Sequence, residues 1–265
     1  FIPPRAYADR FDPTTMPGPH FQESDLAQQM KLKEIEFQGE VKRPEERDAK
    51  TIQARYYAMI AQIDDQLARI LDTLDQTGQR DNTVIVFTAD HGEALGDHGL
   101  LEKGCRFYEG LVRVPLIFSW PGHFQQYLRS DALVELLDIP PTLLELAGLP
   151  IPDYVQGKSL LPILRGEASP DHHRDFVRCE FFDALESTLE GNPSGSIGLE
   201  FSPGRERPSE NSFPDGVGTF ASMYRDRRYK LVVYHGHNLG ELYDLEHDPW
   251  EFDNLWNSPD HGHIK

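Results

Sequence analysis

The sequence predicts an α/β fold over residues 1–165, a mostly parallel sheet flanked by helices, and a small antiparallel subdomain over 166–265. Three observations predict it. A long amphipathic repeat runs directly into a continuous apolar stretch. A second apolar stretch follows after a loop, and a helical pattern follows that. Beyond residue 166 the apolar runs become short and are separated by polar turns. Helix, strand, loop, strand, helix is the α/β order, and paired short runs across a polar turn read as antiparallel hairpins.

Residues 1 to about 47 read as irregular, because Pro3-Pro4, Asp12-Pro13 and Met16-Pro17-Gly18-Pro19 interrupt any regular element. From Asp48 to Thr77, Ile52, Tyr56, Met59, Ile63, Leu67, Ile70 and Leu74 recur at three- and four-residue spacing. That spacing predicts one apolar helix face, with Gly78 as its C-terminal stop. Thr83 to Thr88 is a β-branched apolar run, the pattern of a strand buried on both faces of a parallel sheet. Val114 to Phe118 is a second strand, with its proline at the beginning. Leu133 to Leu137 offers a third. Asp138 is placed to cap a helix with prolines in its first turn, ending at Gly148. In the second region, Phe176 to Phe182 reads as a strand. Residues 183 to 218 read as a long loop with little periodicity. Thr219–Tyr224 and Tyr229–Tyr234 read as a hairpin around Arg225-Asp226-Arg227-Arg228, and Glu241–Leu245 adds a strand.

Composition narrows the function classes. The 265 residues carry 44 acidic and 26 basic side chains, a formal charge of -18, and no basic cluster, which argues against nucleic acid as partner. No apolar run approaches the ~18 residues of a membrane helix. Two cysteines, Cys105 and Cys179, cannot build a disulfide framework and read as buried thiols. An anionic ligand on so acidic a chain has to be met locally, by Lys, Arg or a bound cation.

The most informative stretch is Thr88-Ala89-Asp90-His91-Gly92-Glu93-Ala94-Leu95-Gly96-Asp97-His98-Gly99. Ligands of open α/β sheets bind outside the carboxyl ends of the strands, and Asp90 and His91 lie at such an end. A carboxylate followed by an imidazole is a pair of metal ligands, with Gly92 letting the backbone turn and leaving room for an ion. The alternative is that Asp90 caps the turn and His91 packs on it. Lys103, beside Glu102, is either an anion contact or a surface lysine.

The stretch T-A-D-H-G-E-A-L-G-D-H-G-L-L-E-K, followed by F-Y-E-G-L-V-R-V-P-L-I-F and P-G, resembles the sulfatase family of the alkaline phosphatase superfamily. Phe1–Pro17, Asp138–Gly148 and Glu241–Leu255 resemble further family segments, in the family's order. The resemblance implies the second half of a sulfatase catalytic domain up to residue 165, with Asp90 and His91 as calcium ligands and Lys103 on a sulfate oxygen. His98, Arg106, His235 and His237 are weaker substrate-side candidates. Arg113 is expected to orient a loop or to pair with Glu109. The family's nucleophile, a formylglycine made from Cys or Ser in C/S-x-P-x-R, has no match here. It is expected N-terminal to Phe1, with the Asp pair that completes the calcium shell. The implied partner is a sulfated small molecule or carbohydrate, and the implied location periplasmic or extracellular; oligomeric state is left open. Two other functions fit the motifs. One is a phosphonate monoester or phosphodiester hydrolase of the same superfamily; the other is a non-catalytic binding protein, against which the joint presence of Asp90, His91 and Lys103 argues.

Overall fold

The structure, a computed structural model, describes residues 1–32, 41–182 and 220–264. The expected loop 183–218 lies outside the described residues. The N-terminal segment is more regular than its prolines suggest. It holds α1 (Arg5–Ala8) and α2 (Glu23–Lys31). Helix α2 starts where the Asp25 carboxylate accepts the Gln22 N–H at 2.7 Å, a local cap that the proline-rich flank obscures.

Helix α3 (Ala49–Gln76) forms where the periodicity places it, and Gly78 follows in the left-handed conformation at φ 67°. Its buried residues are Ala49, Gln53, Ala54 and Ala58, all in its first half. Ile63 and Ile70 on the expected apolar face are more than half exposed.

Strand β1 (Ile85–Thr88) pairs with β2 (Leu116–Ser119), Ile85 opposite Ser119 and Thr88 opposite Leu116. The pair is antiparallel. The α/β class therefore holds, but the described residues contain no parallel pair, and β1 is half-buried rather than covered on both faces. The reason lies in the connection. Parallel neighbours need a crossover, usually a helix, whereas residues 89–115 contain only a three-residue 3-10 turn and the one-turn helix α4 (Glu109–Val112).

Residues 133–135 form no strand, and Leu136–Asp138 is a 3-10 turn leading into α5 (Ile139–Leu146). Asp138 does not cap α5 with its side chain. Its fully buried carboxylate instead accepts the backbone N–H groups of Glu135 (2.8 Å) and Lys158 (2.7 Å) and pairs with Arg174. It ties three loops together. A short helix, α6 (Leu161–Leu164), completes this region.

Strands β3 (Val177–Phe182), β4 (Phe220–Arg225), β5 (Tyr229–Tyr234) and β6 (Leu239–Asp244) form an antiparallel sheet in chain order. In β5, Lys230, Val232 and Tyr234 alternate onto one buried face. That face packs on the chain before residue 166: Val232 and Tyr234 share a core with Leu32, Cys105 and Phe107. Tyr243 of β6 joins Ala94, Leu100, Tyr108 and Leu111. No helix among the described residues is long and apolar enough to cross a membrane.

Candidate functional site

Asp90 and His91 follow β1 directly, as the sequence places them. The Asp90 side chain is 87% exposed, and its Oδ1 accepts the His91 N–H at 3.0 Å. That bond chiefly, with the charge of Lys103 adding to it, holds the Asp90 carboxyl below its ordinary range. The metal-ligand and turn-cap readings of Asp90 are thus compatible, because Oδ1 makes the turn and Oδ2 faces the His91 ring. The imidazole Nδ1 lies 2.8 Å from the Gly92 carbonyl oxygen. A carbonyl only accepts, so Nδ1 carries the proton and the neutral ring keeps its lone pair on Nε2. Nε2 lies 3.4 Å from Asp90 Oδ2. Two lone-pair donors facing each other at that separation form a bite that one cation can bridge. These two residues fit a divalent metal, and they fill only part of the six to eight positions that calcium prefers.

Gly92 has a different role from the expected one. A Cβ there would stand 1.9 Å from the Gly110 carbonyl oxygen, and the Gly92 N–H donates to the Leu111 carbonyl at 2.8 Å. The glycine leaves room for α4, not for an ion.

The loop after Gly92 folds tightly on itself. Ala94 N–H donates to the Glu102 carbonyl at 3.0 Å, and the Glu93 carboxylate accepts the Glu102 N–H in return. Leu95, Gly96, His98, Gly99, Glu102 and Gly104 all have positive φ. This winding brings Lys103 back beside Asp90. Asp90, His91 and Lys103 line one open cavity of about 1120 Å³, whose far wall is built by β2, residues 128–137 and β3. Lys103 is exposed and makes no hydrogen bond or salt bridge among the described residues.

The other candidates lie elsewhere. His98 is buried, with Nδ1 3.1 Å from Asp25 Oδ1 and its ring stacked on Tyr108 at 3.9 Å, so it joins α2 to the loop. Arg106 reaches the cavity wall, but its guanidinium is buried and committed to Gln29 Oε1 (3.0 Å) and the carbonyls of Cys105 (2.8 Å) and Leu32 (3.3 Å). His235 stacks on Phe220 and bonds Ser222 Oγ at 2.9 Å; neither it nor His237 lines the cavity. Arg113 lines the cavity but does not pair with Glu109, whose carboxylate is taken by Arg225 (3.0 Å) and Lys230 (2.8 Å). Burial pushes Glu109 up, and these two cations outweigh it, leaving the group below its ordinary value. Sequence reasoning did not single out Lys230 or Glu251, whose Oε1 lies 2.8 Å from the Lys230 Nζ in the same ion cluster. Their signal was weak: a lysine on the buried face of an alternating strand and an acid in the closing motif.

The open cavity thus brings together a carboxylate–imidazole bite and an exposed ammonium. The sulfatase family profile matches residues 4–149, and the chain belongs to the sulfatase family. It is 41% identical over 217 residues to arylsulfatase K of Bos taurus, covering 79% of this chain and 34% of that protein. It is 30% identical over 203 residues to the N-acetylglucosamine-6-O-sulfatase of Bacteroides thetaiotaomicron, covering 76% and 31%. Among solved structures, the phosphonate monoester hydrolase of Agrobacterium radiobacter superposes with a TM-score of 0.76 at 29% identity, covering 98% of this chain and 51% of that one. The chain thus spans about a third of the length of these curated relatives.

Proposed function

We propose that the protein carrying this chain hydrolyses a sulfuric ester at a calcium site to which Asp90 and His91 contribute. The observation that carries the reading is the convergence of Asp90, His91 and Lys103 on one cavity in a sulfatase-family chain. Asp90 Oδ2 and His91 Nε2 would hold the cation, which on binding supplies positive charge for a sulfate oxygen. The Lys103 ammonium meets the negative charge on the equatorial oxygens and the charge that builds on the leaving oxygen, as an oxyanion-hole donor does. No C/S-x-P-x-R occurs in the 265 residues. On this reading the formylglycine and the remaining calcium ligands come from outside the chain, and residues 1–265 alone are inactive. A sulfated small molecule or carbohydrate is the substrate class, and a periplasmic or extracellular location goes with it. The relatives named for aryl and sugar sulfates support the substrate class.

A second reading, phosphonate monoester or phosphodiester hydrolysis, is favoured by the superposition on the Agrobacterium enzyme over nearly the whole chain. One assay separates the two. The product of the whole reading frame is given 4-nitrophenyl sulfate and 4-nitrophenyl phenylphosphonate, with calcium and after chelation. Calcium-dependent turnover that favours the sulfate and is lost in Asp90→Ala is expected. Turnover that favours the phosphonate replaces the first reading with the second. Calcium-independent turnover in both proteins removes the metal assignment.

A further inference from the structure

Three segments far apart in the chain meet on one buried ammonium. Lys230, on β5, has no exposed surface. Its Nζ lies 2.8 Å from the Phe107 carbonyl oxygen, 2.8 Å from Glu109 Oε1 and 2.8 Å from Glu251 Oε1. The Phe107 carbonyl accepts a hydrogen bond from the ammonium, and the two carboxylate oxygens stand against it as ion pairs. Glu251 Oε2 accepts the Glu109 N–H at 2.6 Å, and Arg225 of β4 donates to both Glu109 oxygens at 3.0 and 3.4 Å. Two acids face two cations, a formal balance of charge, although burial pushes the Glu251 carboxyl up. Glu251 holds its place at φ 60°, a backbone conformation that side-chain-bearing residues disfavour. Buried ion groups seldom stabilise more than apolar packing of the same volume. What this one supplies is position.

The positions it fixes are the turn at Phe107 and the start of α4. Helix α4 is the wall against which Gly92 is pressed, with the Gly110 carbonyl filling the space of a side chain and the Leu111 carbonyl taking the Gly92 N–H. Gly92 in turn orients the His91 ring through its carbonyl. On the other arm, Lys103 stands just upstream of the clamped carbonyl of Phe107. Both arms of the candidate site therefore end on the same cluster.

We propose that Lys230 and Glu251 are positioning residues, fixing α4 so that His91 and Lys103 stay aimed into one cavity. Strand β5 and the turn after β6 thus act on a cavity that neither Lys230 nor Glu251 lines. The inference rests on reading Asp90, His91 and Lys103 as the sulfate-ester site. It gives a reason for Tyr229-Lys230-Leu231 and Asp248-Pro249-Trp250-Glu251, which that site leaves unexplained.

The test uses the product of the whole reading frame and three separate readouts: calcium affinity by calorimetry, thermal midpoint in chelator, and kcat and KM on 4-nitrophenyl sulfate. The variants are Lys230→Met, Glu251→Gln, Asp90→Ala and Asp138→Asn. Asp138 belongs to a separate buried ion cluster, with Glu135 and Arg174, which shares no residue with this one. Lys230→Met and Glu251→Gln are expected to weaken calcium binding about 10-fold, the usual effect of losing an outer-shell support, and to lower kcat more than they raise KM. Asp138→Asn should lower the midpoint and leave calcium affinity unchanged. Should Lys230→Met not fold, Glu251→Gln, which keeps its size and an accepting oxygen, decides alone. Calcium affinity in the cluster variants equal to that in Asp138→Asn, with binding lost in Asp90→Ala, overturns the positioning role only. Unchanged affinity in Asp90→Ala overturns the site reading and this inference with it.

Discussion

Replacing Gly92 by alanine tests how tightly the candidate site is bound to α4. The added Cβ would sit 1.9 Å from the Gly110 oxygen, 2.9 Å from its carbon and 3.1 Å from Leu111 Cα. Carbon needs about 3.5 Å from its neighbours, so one backbone has to move by more than an ångström. Helix α4 cannot yield cheaply, since Glu109 is held by Glu251, Lys230 and Arg225 and Leu111 is buried. Gly92 moves instead, and its 2.8 Å bond to the Leu111 carbonyl breaks. The lost hydrogen bond costs about 1 kcal/mol and the overpacking about 1–3 kcal/mol. A total near 2–4 kcal/mol lowers the thermal midpoint by about 4–16 °C at the usual slope for a domain of this size. Because the Gly92 carbonyl orients the His91 ring, calcium affinity should fall about 10–100-fold as well. Differential scanning fluorimetry in chelator reads the first effect, and calorimetry at a temperature where the variant is folded reads the second. A Gly92→Ala protein with an unchanged midpoint refutes the close approach. A lowered midpoint with unchanged calcium affinity refutes the coupling through His91.

Lys103→Met in the whole protein should lower kcat by roughly 10²–10³, as for one oxyanion donor, with the midpoint unchanged because the side chain is exposed; full turnover on an aryl sulfate removes the role. Arg106→Met strips partners from Gln29 and two buried carbonyls, at about 3–5 kcal/mol, and should leave KM of the folded enzyme alone; a raised KM without lost stability restores Arg106 as a substrate contact. The Asp244 carboxyl is held down to about 2 from 3.8, chiefly by hydrogen bonds from Arg228. Its folded value is depressed, so the stability it contributes is present above about pH 4 and lost as pH falls through about 2. Arg228→Met should therefore lower the thermal midpoint at neutral pH, and its difference from the parent should narrow across that window. A difference that stays constant with pH shows that the carboxylate is not the cause.

How far the fold is legible depends on whether an element's pattern is local. Helix α3 is, because three- and four-residue spacing over Asp48–Thr77 needs no partner to be recognised. The β5–β6 region is, because a polar turn and alternating burial fix its register. Helix α2 is not: it lies between proline-rich segments, and its cap uses Gln22 and Asp25 rather than a serine or threonine. The orientation of β1 is not legible either. Ile85-Val86-Phe87 reads the same in a parallel or an antiparallel pair, and only the connection decides.

The site divides along the same line. Asp90, His91 and Lys103 come from one segment of the sequence, and their meeting follows from the winding of a single loop. The parts that hold them do not. Glu109 and Glu251 are 142 residues apart, and Lys230 and Phe107 are 123 apart. Each alone looks like an ordinary charge on an acidic chain. Yet an ammonium on the buried face of β5 cannot be hydrated there, and isolated it would shed its proton or unfold the sheet. A lysine in an alternating apolar strand is therefore itself a sign that a carboxylate must arrive from elsewhere in the chain. The acid four residues into the turn after Glu246-His247, at Glu251, is what arrives, and it reaches Lys230 because β6 returns the chain alongside β5. The closing motif is read correctly only as half of a contact whose other half is the strand before it.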